Sequence, residues 1–129
     1  MQEIKFRVWD KELKVMRDAR CIDFENSEVS YWLNHETDYS DIVEPFKNVE
    51  LMQYIGLKDK DGVEIYEGDI IEFLTYDGEI PMAQVVFERF AFKALDIEDE
   101  CCEYDFDDLM DIEVIGNIYE NQELLNENT

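Results

Sequence analysis

The run LMQYIGLKDKDGVEIYEGDII, residues 51–71, decides the fold. Its apolar and aromatic residues predict a strand over 49–55, and KDKDG at 58–62 ends in an Asp-Gly pair, a tight-turn signal. A return strand follows over 63–66. Gly68-Asp69 punctuates the chain before 70–76, whose β-branched and aromatic content predicts the next strand, and Asp77-Gly78 supplies another hairpin turn. Pro81 belongs at a strand start or an edge, because it has no backbone N–H to give to a ladder. Beyond it, 83–87 and 90–97 read as two strands about a turn near Glu88-Arg89. Their dense hydrophobes predict a closed or strongly curled sheet.

Toward the N-terminus, Ile4, Phe6 and Val8 alternate with Lys5, Arg7 and Trp9, the period of a half-buried strand over 4–9. A turn through 10–14 leads into a short strand around Val15 and Met16, and 22–24 with 29–33 form a second hairpin about Glu25-Asn26-Ser27-Glu28. Residues 34–48 have no clean period, and Pro45 discourages a helix through Glu44, so this segment reads as a loop with one helical turn. Residues 96–111, DIEDECCEYDFDDLMD, carry no basic residue and read as a loop or exposed ridge. A closing strand over 112–115 and a short helix within 118–125 complete the chain. The fold expected is mainly β (a β-rich α+β class): one domain over 1–129, a small, partly open SH3-like barrel with an N-terminal β-hairpin region and a short C-terminal helix.

With 129 residues and 46% hydrophobic side chains, the chain can bury a core without staples. No apolar run approaches the roughly 20 residues that span a bilayer, and MQEIKFRVWD is not a signal-peptide core, so a soluble, cytoplasmic protein is expected. Cys21, Cys101 and Cys102 are odd in number and two are adjacent, which fits reduced thiols and lacks zinc-ligand spacing. Thirty-four acids against eleven Lys and Arg give a formal net charge of −23. Residues 1–20 hold six Lys and Arg and four acids, whereas 94–129 hold thirteen acids and no Lys or Arg.

Four segments together resemble the YopX family of phage and prophage proteins: EIKFRVWD at 3–10, LMQYIGLKDKDGVEIYEGDII at 51–71, VVFE at 85–88 and EVIGNIYENQELL at 113–125. The resemblance implies a phage or prophage origin in Gram-positive bacteria and a mainly β fold. It supplies no catalytic residue, and segments 32–48 and 96–111 match none of its motifs. Independently, a Gly-Asp turn, an apolar strand, a turn and a strand ending in VVFE follow the order of a small SH3-like barrel, a scaffold that establishes no function by itself.

Catalysis by a Ser or Cys nucleophile needs a base, and the one histidine, His35, lies in an irregular polar stretch. Carboxylate pairs are unavoidable with 34 acids, so their proximity in sequence says nothing about hydrolysis. Neither GxxxxGK[ST] nor GxGxxG occurs. Asp59-Lys60-Asp61-Gly62 looks like the start of a calcium loop but lacks its twelve-residue register. No enzyme activity, metal or cofactor is therefore expected. Lys5, Arg7, Lys11, Lys14, Arg17 and Arg20 net only about +2 against their local acids, and direct binding to nucleic acid is opposed by charge. The same charge favours a basic protein partner. The expected contact residues are Asp96, Glu98, Asp99, Glu100, Glu103, Asp105, Asp107, Asp108 and Asp111, with Tyr104 and Phe106 (and Leu109) as apolar anchors. One version of this reading is decoy inhibition, with carboxylates standing where a basic host enzyme expects phosphates. Homo-oligomerisation through Trp9, Tyr31 and Trp32 is the other class considered.

Overall fold

A computed structural model describes residues 3–34, 36–99 and 102–126. The chain divides into two compact units, Met1–Gln53 and Tyr54–Thr129. In the first, β1 (Phe6–Asp10) pairs antiparallel with β2 (Val15–Asp18), and β3 (Cys21–Asp23), β4 (Glu28–Asn34) and β5 (Asp38–Pro45) form a separate three-stranded sheet. A single 3-10 turn, Phe46–Asn48, leads into β6 (Val49–Lys58), whose residues 49–53 lie beside β1. Val8, Val29, Tyr31 and Val49 make the core of this unit, with Val15, Ile22, Ile42 and Leu51 packed on it.

The expected loop at 34–48 is corrected: it contains β5. Its pattern is obscured by charge, yet Ile42 stands opposite Tyr31 and packs on the core, while Asp41 stands opposite Trp32. β5 is the edge of its sheet, where Pro45 costs no ladder bond. His35 lies outside the described residues. The adjacent Tyr31 and Trp32 alternate as strand geometry requires: Tyr31 is buried, and half-buried Trp32 carries the Arg20 guanidinium 4.8 Å from its ring centroid.

In the second unit the rest of β6 pairs with β7 (Glu64–Tyr66) across the predicted Asp-Gly turn, where Gly62 has φ +85°. β8 (Asp69–Leu74), β9 (Met82–Glu88), β10 (Ala91–Asp96), β11 (Glu103–Tyr104) and β12 (Met110–Asn117) build a curled, half-barrel sheet in the order β11-β10-β9-β8-β12. A short helix, α1 (Gln122–Asn126), follows. The fold is thus mainly β, partly open, with one C-terminal helix, as the sequence predicts. Ile55, Ile65, Ile71, Phe73, Ala83, Val85 and Ala94 are the core of this unit.

Segment 96–111 is also corrected, because it contains β11 and a 3-10 turn at Phe106–Asp108. Self-repulsion is outweighed by two things that composition conceals. Tyr104, Phe106 and Leu109 pack on the core, the Tyr104 ring meeting Phe73 edge-on at 5.0 Å. Asp96 ties the turn that follows it by accepting the backbone N–H of Glu98 at 2.8 Å and of Asp99 at 3.1 Å.

Asp59, 8% exposed, makes the corresponding closure in the β6–β7 hairpin. Its Oδ1 accepts the N–H of Asp61 and of Val63, both at 2.9 Å, and its Oδ2 accepts the N–H of Val114 on β12 at 3.0 Å. The neighbouring Lys60 N–H donates to the Ile112 carbonyl at 2.9 Å, so the hairpin loop covers part of the outer edge of β12. Burial pushes the Asp59 carboxyl up, but the amides of Val114, Val63 and Asp61 together with Lys60 hold it below the ordinary aspartate value. Asp59→Ala leaves three amides without their acceptor and should lower unfolding stability by about 2–4 kcal/mol. A urea melt measures this as a lower midpoint. The wild-type contribution should fade as pH drops through the acidic range, because the depressed carboxyl is then protonated.

Candidate functional site

Two clusters of ionisable groups stand out among the described residues. In the first unit, Asp10 is fully buried at the end of β1, its Oδ1 accepting the N–H of Glu12 at 2.9 Å and of Leu13 at 3.0 Å. Its Oδ2 accepts the Tyr31 hydroxyl at 2.6 Å, and its side chain also hydrogen-bonds Glu44 on β5. The hydrogen bond to Asp10, with burial and the charges of Asp10 and Glu12, pushes the Glu44 carboxyl up to about 7; Asn48 opposes the shift. Burial and the hydrogen bond to Asp10 likewise push Tyr31 up. Paired carboxyls of this kind occur at catalytic sites. Here both oxygens of Asp10 are occupied by donors of the chain itself, so the cluster is a clamp joining β1, β4 and β5.

The clamp has two measurable consequences. Tyr31→Phe removes a buried hydrogen bond to a charged group and should cost about 1.5–3 kcal/mol. Glu44 holds in the folded state a proton that the unfolded chain releases near its ordinary value of 4.5. Stability should therefore fall as pH rises from there to about 7. Urea midpoints taken at about pH 5 and about pH 8 should differ less in Glu44→Gln than in wild type.

The second cluster is the acidic end of the second unit. Asp96 closes β10 and takes the Tyr104 hydroxyl at 3.4 Å; burial and the Asp96 charge push that hydroxyl up. Glu98 and Asp99 follow it, exposed, with the Cys102 thiol 3.3 Å from Asp99. Glu100 and Cys101 lie outside the described residues. Glu103 on β11 takes Lys93 at 3.1 Å. Asp105, Asp107, Asp108 and Asp111 are exposed, whereas Tyr104 and Phe106, expected as anchors for a partner, are half-buried and pack on their own core. The outward chemistry of this segment is carboxylate.

The segment folds so that its two ends flank the β8–β9 hairpin. Asp96 and Glu98 line a groove of about 310 Å³ with Glu72, Glu79, Ile80 and Met82. Asp111 lines a second, of about 300 Å³, with Glu113, Lys60, Phe73 and again Glu72 and Ile80. The hairpin is pinned at Thr75, whose N–H donates to the Glu79 carbonyl at 3.0 Å and whose Oγ1 accepts the Glu79 N–H at 3.1 Å. β12 bulges opposite β8 between Met110 and Glu113, with Asp111 at φ +49°. Glu72, Glu79 and Ile80 are the site residues that sequence reasoning missed. Glu79 and Ile80 lie in a Gly-Glu-Ile-Pro turn that reads as loop, and Glu72 lies in a predicted strand where nothing marks it out. Of the N-terminal cations, Lys11 lies 3.1 Å from Glu50, Arg20 pairs with Asp41, and Arg17 donates to the Leu33 and Met16 carbonyls.

The family model described as YopX protein matches residues 5–126. Protein EF1440 from Enterococcus faecalis has a similar structure, with a TM-score of 0.61, 29% identity, and 97% of this chain and 99% of that one covered. Protein yopX from Bacillus subtilis has a similar fold, with a TM-score of 0.63, 22% identity, and 97% of each chain covered. A search of curated proteins found no match.

Proposed function

The chain belongs to the YopX family, and from that premise we propose that it is a non-catalytic binding protein acting through contact with a basic protein partner. The observation that carries this reading is the charge distribution: −23 overall, with thirteen acids and no Lys or Arg in residues 94–129. A field of that sign accelerates encounter with a cationic surface and repels nucleic acid. The proposed setting is the cytoplasm of a bacterial host, with the gene carried by a phage or prophage. Within this reading, the exposure of Asp105, Asp107, Asp108 and Asp111 favours one special case, occupation of a basic enzyme's nucleic-acid groove.

The test is capture from host lysate with two baits, wild type and a variant with Asn or Gln at the acids of 96–111, keeping Asp96 because it ties its own turn. Wild type should retain a basic protein at low salt, release it at high salt, and retain more than the variant. Equal capture by both baits at either salt would remove the charge-driven reading. Displacement of the captured protein by duplex DNA would select the special case.

A further inference from the structure

We infer that the partner is held at the β8–β9 hairpin, where Ile80 and Glu72 divide two grooves built for an extended basic segment carrying one large apolar side chain. This rests on the reading of a basic protein partner and names where it docks.

The hairpin combines two features seldom placed together on a solvated turn. Ile80 is 64% exposed and the nearby Tyr76 is 81% exposed, so apolar surface faces outward. The grooves on which Ile80 borders are walled by carboxylates, and among the described residues the one cation lining either is Lys60, 3.5 Å from Glu113. Glu72 and Glu113 are cross-strand partners in the β8–β12 ladder. Like charges directly opposite destabilise a sheet, and Lys60 stands against only one of the two. A cation delivered from outside would relieve that repulsion. An apolar side chain seated on Ile80 would supply the burial that charge alone lacks.

The walls come from three elements held by hydrogen bonds to the backbone. Asp59 and Lys60 fasten the β6–β7 loop to β12, which places the Lys60 ammonium at Glu113. Thr75 fixes the hairpin, and the Asp96 turn fixes Glu98. A ligand would therefore meet preformed walls, and little ordering would be charged against binding. The occupant is a protein segment with Lys or Arg on either side of a residue such as Leu; a nucleic acid strand is excluded by the sign of the walls.

The experiment is a ¹⁵N–¹H titration of the intact chain with two synthetic peptides of equal length, one alternating Lys with Leu and the other Glu with Leu. Expected are amide shifts centred on Glu72, Ile80, Glu98 and Asp111, with the Lys peptide only, weakening as salt is added. Ile80→Ser should weaken binding about tenfold, the scale of one buried aliphatic contact. Glu72→Gln should weaken it too while leaving Tm no lower, since the substitution removes the charge facing Glu113; this separates binding from folding. If the Lys peptide shifts all exposed acids alike, Asp105 and Asp107 as much as Glu72, and Ile80→Ser binds as wild type, the docking site is wrong while a charge-driven partner stands. If the Lys peptide causes no shift at low salt, both the site and the basic-partner reading fall.

Discussion

A buried carboxylate that accepts the amides of its own turn and a donor from a distant part of the chain is the interaction on which each unit depends. Strand ends leave N–H groups with no ladder partner, and such groups are expensive to bury unsatisfied. Asp59 answers this for the second unit, taking two amides from its own turn and one from Val114, 55 residues away. Asp10 answers it for the first, taking two turn amides and the Tyr31 hydroxyl. In both cases a local turn and a long-range contact share one side chain, so the turn conformation and the packing of the strands stand or fall together. Asp69 and Asn117 repeat the local half, accepting the N–H of Tyr66 and those of Tyr119 and Glu120.

This constraint changes what the net charge means. Asp10, Asp23, Asp59, Asp69 and Asp96 all hold backbone amides, so part of the acidity is structural and is directed at the chain's own N–H groups. Among the outward acids, Glu79 and Glu98 stand at the β8–β9 hairpin and Asp105, Asp107, Asp108 and Asp111 lie over 105–111. The distinction matters energetically: an Asp that accepts amides cannot be neutralised without loss of fold, whereas an exposed one can. A charge count alone cannot separate the two populations.

Much of the fold was legible, and the failures share one cause. β1 alternates hydrophobe with polar residue, β6, β8, β9 and β10 are rich in apolar, β-branched or aromatic residues, and Asp61-Gly62 marks its turn, so local composition and pattern sufficed. β5 and β11 are written in acids, and the residues that anchor them, Ile42 and Tyr104, are isolated in a polar background. Only pairing with β4 and with β10 reveals them. The site divides the same way. Asp96, Glu98 and Asp111 stand out by charge, but Glu72, Glu79 and Ile80 join them only because β8 lies between β9 and β12, an adjacency no local pattern encodes. Asx turns were equally hidden, since in a chain with 34 acids an aspartate two or three residues before a turn amide is commonplace.

The segments that resemble the family are rich in these structural devices. Asp59 and Gly62 make the β6–β7 turn. Gly68, at φ +85°, accepts the Ile118 N–H at 2.9 Å and donates to Val85 at 2.9 Å, joining three of the matching segments at one glycine. Gly116 leaves room for Asn121, whose Oδ1 would lie 2.6 Å from any Cβ there. That same oxygen accepts the Asn117 N–H at 3.1 Å, so the glycine and the asparagine form one closure. A likeness carried by such residues transmits a fold, because each satisfies a backbone group or clears a path for one that does. Glu72 and Ile80 at the hairpin make no comparable closure among the described residues, and Glu72 opposite Glu113 works against the sheet that carries it. Residues that weaken their own scaffold are the ones whose presence the fold does not explain.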